Sequence, residues 1–434
     1  MNERSFLLLQ GPPGPLFYRL ACTLRERGAS VHRINLSAGD WIDWPERTTN
    51  FRGSFTDWPV FLDRFLREQG ITDLLLFGDC RPHHASAHRI AAMRGIQTHV
   101  LEEGYLRPNW VTLERDGVNG HSRLSRDPQW FRDEAAKLPP EEELPPITAS
   151  FRRRVRDTAW YYTATHLGGW AFPSYLSHRP HSPLGEAFGW GWRYLTSKWR
   201  GRQATRILEA LRGKPLYVLP LQLSGDYQIR AHSPFPDMPA AAAFILESFA
   251  AHAPADSHLI VKCHPLDASF VNWRWFLNRR ASRLGVKDRV HFVDGGDLDQ
   301  LAEEAAGMIC VNSTSATLAL AVGTPVCILG EAIYRMPGLT HEGHIDTFWR
   351  NPRPPAPGLY EAFRRVLVDR VLVRGGLASE SAVNILVANL CERLLGQSDS
   401  SQESTAAKCA GQVGRSNERN RVICAARAGL SGAA

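Results

Sequence analysis

Leu216 to Arg230 reads LYVLPLQLSGDYQIR. It opens as an apolar run of strand type and breaks at Ser224-Gly225 into a loop whose first acid is Asp226. Open α/β sheets hold their ligands just past the carboxyl ends of strands, which is where such an acid falls. A lone Asp after Gly also serves as a turn residue or a helix N-cap. The stretch gains weight as the first of a series. HLIVKCHP (258–265), RVHFVDG (289–295), GMICVNS (307–313) and PVCILG (325–330) are further strand-like runs. Helical stretches at 238–251, 270–284, 298–304 and 315–322 separate them, and a helical region at 359–395 closes the series.

The same alternation fills residues 6–104, where FLLLQG (6–11), VHRINL (31–36), ITDLLLFG (71–78) and IQTHVLE (96–102) alternate with helical segments. Strands joined through single helices imply parallel sheets with right-handed crossovers. The expected fold is therefore α/β of the GT-B type, two Rossmann-like domains whose parallel sheets face a central cleft.

The totals agree with two domains, since 434 residues at 44% hydrophobic and 22% charged exceed one ordinary core. No apolar run approaches the roughly 20 residues that cross a bilayer, and MNERSFLLLQGPPGP is too short in its apolar part for a signal peptide. Cysteines at 22, 80, 263, 310, 327, 391, 409 and 424 form no CxxC pair and read as reduced residues of a cytoplasmic protein. The net charge of +7 is concentrated, because residues 151–206 hold ten Lys or Arg against Asp157 and Glu186. Twelve aromatic residues share that segment, a mixture suited to an anionic membrane surface and also to single-stranded nucleic acid.

Chemistry concentrates at strand ends. QGPPGP (10–15) lacks the spacing of a phosphate loop, and its prolines remove N–H groups a phosphate would need. Asp79 and Arg81 leave the third strand in DCRPHH, with Asp79 readable as the cap of the next helix. LEEGYLRPNW (101–110) sets Glu102, Glu103, Gly104 and Arg107 in one loop. Strand neighbours face opposite ways, so only one of the two acids faces a cleft, and Glu103, nearer the loop, is favoured over a solvated Glu–Arg turn. In the second half His264-Pro265 ends a buried-type strand with Lys262 beside it. Asn312, Ser313, Thr314 and Ser315 end another strand and open a helix, as an anion site or as simple N-caps.

These motifs, taken in order from about Phe6 to Leu395, resemble the capsular polysaccharide biosynthesis and export family, in its KpsS-type β-Kdo transferase branch. LLLQGPPGP, GDW, FRGSFTDWP, LFGDCRPHH, LEEGYLRPNWVTLERDGVNGHS, AFGW, PLQLSGDYQIRAHSPF, VKCHP, VNSTSA and LGEAIYRMPGLTHEG carry the resemblance. It implies CMP-Kdo as donor, a phosphatidylglycerol-type lipid as acceptor, and a product that begins a poly-Kdo linker. Glu102-Glu103-Gly104 and His264-Pro265 match the family's acidic and HP motifs, Ser313–Ser315 its other phosphate contact, and Gln222 with Asp226 the pattern of a retaining nucleophile. The chain departs by reading Tyr227 where a Ser is expected.

The resulting expectation is a retaining glycosyltransferase with Asp226 as nucleophile and Glu103 as base. Lys262, His264, Pro265, Gln222, Asn312, Ser313, Thr314 and Ser315 would bind the donor, while Asp79, Arg81, Glu102, Gly104 and Arg107 line the acceptor side. The domains would span 1–210 for the acceptor, including the basic aromatic segment 151–206, then 211–350 for the donor and 351–395 for C-terminal helices, with a disordered tail at 396–434. No metal and no cofactor are expected. The expected partners are the cytoplasmic membrane surface, which the protein would meet as a peripheral protein on its inner face, and other capsule assembly proteins, but no nucleic acid. A non-catalytic lipid-glycan binding component and an inverting transferase are the alternatives.

Overall fold

The computed structural model describes residues 4–140, 144–177, 183–223, 227–265, 267 and 270–396. Asp226 and the tail from 397 lie outside the described residues. Residues 1–389 form one compact unit that contains both sheets; the second unit, 390–434, is described only through the end of the helix Glu380–Gly396.

The strands are β1 (Ser5–Leu8), β2 (Ser30–Asn35), β3 (Thr49–Asn50), β4 (Asp73–Phe77), β5 (Gln97–Glu103), β6 (Trp110–Arg115), β7 (Leu216–Pro220), β8 (His258–Lys262), β9 (Val290–Val293), β10 (Gly307–Cys310), β11 (Val326–Ile328) and β12 (Leu372–Arg374). Seven form a sheet in the order β12-β6-β5-β4-β1-β2-β3, and five form a second in the order β11-β10-β7-β8-β9. The five-stranded sheet is parallel throughout. Its central strands read as continuous apolar runs because helices cover both faces, and β7 is buried along its whole length. The fold is thus α/β with two largely parallel sheets, as the alternation of strands and helices implies.

Two strands depart from that pattern. β6 and β12 extend the first sheet antiparallel, pairing Leu101 with Leu113 and Leu372 with Thr112. The helical region expected over 359–395 is therefore interrupted: a helix ends at Arg370, β12 crosses back to the first sheet, and a second helix begins at Glu380. Gly375 lets the chain leave β12 close against the second helix. Its φ is +134°, and a Cβ there would stand 2.4 Å from that of Leu386.

The basic aromatic segment is tied to the first sheet by the GDW motif. Gly39 admits the helix Phe151–Leu167 so closely that a Cβ would meet Thr165 Oγ1 at 2.4 Å. Asp40 completes a capping box with Ser37 and pairs with buried Arg33 at 3.0 Å. Trp41 meets Phe172 edge to face at 5.0 Å. Tyr161 donates to Asp40 and accepts from Gln10 Nε2, at 3.1 and 2.7 Å, so this end of the segment is core, while Trp160, Trp170 and Trp199 stay exposed. No helix among the described residues is long and apolar enough to cross a membrane.

Candidate active site

The carboxyl edges of the two sheets approach one another. Cys80, past β4, lies 3.3 Å from His232 Nε2 in the second half, and Thr317 Oγ1 donates to the Tyr105 carbonyl at 3.4 Å. The candidate residues fall on both sides of this junction.

On the first side, Arg81 donates to Gln10 Oε1 at 3.1 Å and holds the loop after β1 against the end of β4. Asp79 is buried and does not cap the next helix, whose N-cap position is Arg81. It accepts instead from His121 Nδ1 at 2.9 Å and from Cys80 Sγ at 3.2 Å. Burial would raise its carboxyl, but the His121 and Cys80 hydrogen bonds outweigh it and hold Asp79 below the usual range.

Glu102 and Glu103 have separate partners. Asn119 Nδ2 donates to Glu102 at 3.5 Å, whereas Glu103 lies 3.1 Å from Arg107 and also pairs with Arg154, from the helix Phe151–Leu167. Burial opposes its charge, yet Arg107 and Arg154 keep the Glu103 carboxyl below its ordinary value. Gly104 is needed for space: a Cβ would stand 2.3 Å from the Trp110 carbonyl oxygen, where β5 turns into β6.

On the second side, Gln222 and Asn312 clamp the ends of β7 and β10. Gln222 Nε2 donates to Asn312 Oδ1 at 2.8 Å, and the Asn312 N–H donates to Gln222 Oε1 at 3.2 Å. Ser313 Oγ donates to Ser315 Oγ at 3.1 Å and accepts from the Ser315 N–H at 3.2 Å. Ser315 occupies the N-cap position of a short helix, Ala316–Ala321, without a side-chain capping bond, and Thr314 contributes its carbonyl to Thr317 Oγ1 at 2.8 Å.

His264-Pro265 follows β8. Burial, aided by Arg107, pushes His264 down to about 4, so the imidazole is neutral near pH 7. Glu103 therefore owes its ionised state to its two arginines rather than to His264. Lys262 is buried, which lowers its ammonium pKa. Buried Arg193 supports this loop: it reaches the Pro265 carbonyl at 3.5 Å and pairs with Asp294 at 2.9 Å.

The structure thus joins Glu103 to Arg107 and Gln222 to Asn312 directly. Asp226, outside the described residues, is not located relative to them. Four contributors have no site role legible in the sequence: Arg154, Arg193, His121 and His232, although the two histidines fall inside the GVNGHS and AHSPF motifs. Each lies far along the chain from its partner, and a single arginine or histidine has no periodic signal. Asp79, Cys80, His121 and His232 present ligand atoms all within 4.8 Å of one another, the candidate metal-holding group among the described residues.

A family model described as "Capsule polysaccharide biosynthesis protein" matches residues 72–377. The capsule polysaccharide modification protein LipB of Neisseria meningitidis serogroup B is 33% identical over 388 residues, covering 87% of this chain and 93% of LipB. The capsule polysaccharide export protein KpsS of Escherichia coli is 32% identical over 383 residues, covering 86% and 96%. Among solved structures, a KpsC β-Kdo 2,7 transferase of Thermosulfurimonas dismutans aligns over 89% of this chain and 99% of its own at 15% identity and a TM-score of 0.43, a likeness too loose to carry functional meaning. With most of its length matched in sequence, the chain belongs to the capsule polysaccharide biosynthesis protein family.

Proposed function

We propose that this protein is a glycosyltransferase that moves Kdo from CMP-Kdo to a phosphatidylglycerol-type lipid with retention, beginning a β-Kdo linker. The observation that carries the reading is the junction of the two sheets' carboxyl edges, where Thr317 Oγ1, in the helix that follows Ser313–Ser315, donates to the Tyr105 carbonyl directly after Glu102-Glu103-Gly104. One side offers a carboxylate for the acceptor hydroxyl, and the other offers neutral hydrogen-bonding groups for a leaving phosphate.

In this reading Asp226 attacks the anomeric carbon and CMP departs toward His264, Ser313, Thr314 and Ser315, with Lys262 nearby. Glu103 then takes the proton of the lipid hydroxyl as that oxygen displaces Asp226. An incoming phosphate would offset the burial of His264 and favour its protonated, donating form. Gln222 and Asn312 hold the two strand ends at a fixed separation, which keeps the phosphate contacts in place. No metal and no cofactor enter these steps. The exposed Trp160, Trp170 and Trp199, on a strongly basic segment, suit a peripheral protein at the inner face of the cytoplasmic membrane.

One observation favours a second reading, a lipid-glycan binding component without chemistry. Glu103 is already held by two guanidinium groups, and a carboxylate with a lowered pKa is a weaker base. Incubating the purified protein with CMP-Kdo and a fluorescent phosphatidylglycerol decides between them. Acceptor-dependent CMP release with a slower-migrating lipid product is expected. No CMP release, together with retained vesicle binding, would leave the binding reading standing.

A further inference from the structure

The junction between the two halves holds a cluster that the proposed reaction does not use. Asp79 and Cys80 follow β4, His121 lies in the short turn Asn119–His121 after β6, and His232 ends the helix Tyr227–His232. Cys80 Sγ lies 3.2 Å from Asp79 Oδ1 and 3.3 Å from His232 Nε2, while His121 Nδ1 is 2.9 Å from Asp79 Oδ2. The His121 and His232 rings meet edge to face at 4.5 Å.

These spacings approach those of a metal site. Ligands placed about 2.0–2.3 Å from a tetrahedral zinc stand about 3.3–3.8 Å apart. Here all four ligand atoms lie within 4.8 Å of one another, so shifts below an ångström or so would complete the tetrahedron. The donor set also fits: one thiolate and two imidazoles are the ligands that borderline-soft divalent ions select, whereas calcium and magnesium prefer oxygen. With Cys80 ionised and its proton released to solvent, thiolate and carboxylate together balance a charge of +2.

The surroundings fix the second half of the cluster in place. A Cβ on Gly120 would stand 2.5 Å from His232 Nδ1, and one on Gly330 would stand 2.6 Å from the His232 carbonyl oxygen. That carbonyl accepts from the Glu331 N–H at 2.7 Å. Glycine at both positions lets the imidazole reach the first half. Asp79 and His232 are buried, while His121 is exposed and leaves a path from solvent.

We propose that Asp79, Cys80, His121 and His232 form a four-ligand site for a divalent ion of the zinc class, tying the strand ends of the first sheet to the helix Tyr227–His232. Four protein ligands leave no open position, so the ion is structural rather than a Lewis acid for substrate. Its effect is to anchor the helix that directly follows Asp226. The site stands whether or not the chain transfers sugar.

The test uses the full-length protein, stripped with a chelator under reducing conditions and titrated with Co²⁺ as the probe. One equivalent per chain is expected, with the tetrahedral ligand-field bands and a thiolate-to-cobalt charge-transfer band, both lost on adding Zn²⁺. Cys80→Ser should remove the charge-transfer band, and Cys22→Ser should keep it. His232→Ala should weaken binding at least about tenfold, since even partners one shell out cost that much. Zn²⁺ should raise the melting temperature of the stripped wild type but not that of Cys80→Ser. Absence of saturable one-equivalent binding to the folded wild type, or a charge-transfer band that survives Cys80→Ser, overturns the proposal.

Discussion

Glu103 at the end of β5 and His264 at the end of β8 belong to opposite sheet edges, and the two edges are built on different principles. At the first, charge is already matched: Glu103 with Arg107 and Arg154, Asp79 with His121. At the second, burial keeps His264 neutral and lowers the pKa of Lys262, and the neighbouring strand ends carry amides and hydroxyls that bond one another, Gln222 with Asn312 and Ser313 with Ser315. Matched charge holds a carboxylate ready without needing a ligand. Groups that burial has made reluctant to carry positive charge gain the most when an anion arrives, because the anion removes the cost of that charge. The division suits a reaction with a nucleophilic hydroxyl on one side and a departing phosphate on the other.

The largest effect should come from the paired edge. Glu103→Gln is expected to slow acceptor-dependent CMP release by about 10²–10⁴-fold with little change in melting temperature, measured in the lipid assay. Intact mass should then show a Kdo-sized adduct that Asp226→Ala lacks. Loss of activity without any adduct points to single-displacement inversion instead. At the other edge, His264→Ala should cost about 10²–10³-fold in kcat, and His264→Gln, which keeps a donor, should recover part of it. Equal loss in both variants would mean that packing, not hydrogen bonding to phosphate, explains the residue.

Gly104 tests whether the paired edge depends on backbone closeness. Gly104→Ala places a methyl group on the Trp110 carbonyl and should lower stability by about 1–3 kcal/mol, read from urea unfolding. A smaller, pH-dependent effect lies behind the same edge. Glu114 is buried, accepts from Tyr105 at 2.5 Å and is bonded by Ser122, and its burial pushes its carboxyl up to about 7. A raised carboxyl pKa means the folded state holds its proton longer than the unfolded chain does. Stability attributable to this group is therefore present below about pH 4.5 and is lost as pH rises to about 7. Glu114→Gln should raise the unfolding free energy relative to wild type at pH 8, by a margin on the order of 1–3 kcal/mol that closes near pH 4.5. Parallel pH curves for the two proteins would show that the edge does not rest on a protonated Glu114.

Much of this architecture was legible along the chain. Apolar runs such as ITDLLLFG and HLIVKCHP are buried on both faces, so each announces a parallel strand, and the groups just past it are fixed at a carboxyl edge by chain connectivity alone. That is why Glu103, His264 and Asn312 stand out as candidates without knowledge of any contact, whereas Gln222 is singled out only by the family resemblance. β12 was hidden because its three residues lie inside an apolar region of helical composition, and only pairing with β6 makes it a strand. β6 was hidden too, since it runs antiparallel directly after a loop and has no helix before it to mark a crossover.

What the sequence determined by itself is the local part: where strands end, which side chains stand there, and that a basic aromatic segment sits between two alternations. Tertiary structure decided the non-local part. It set the arginines from residues 154 and 193 behind Glu103 and Pro265, gave Asp79 a histidine partner rather than a helix to cap, and gathered Cys80 and His232 from the two halves into one cluster. The physical reason is range. Burial periodicity and strand ends depend on neighbours along the chain, whereas charge pairing and metal geometry depend on distances that exist only once the two sheet edges have met.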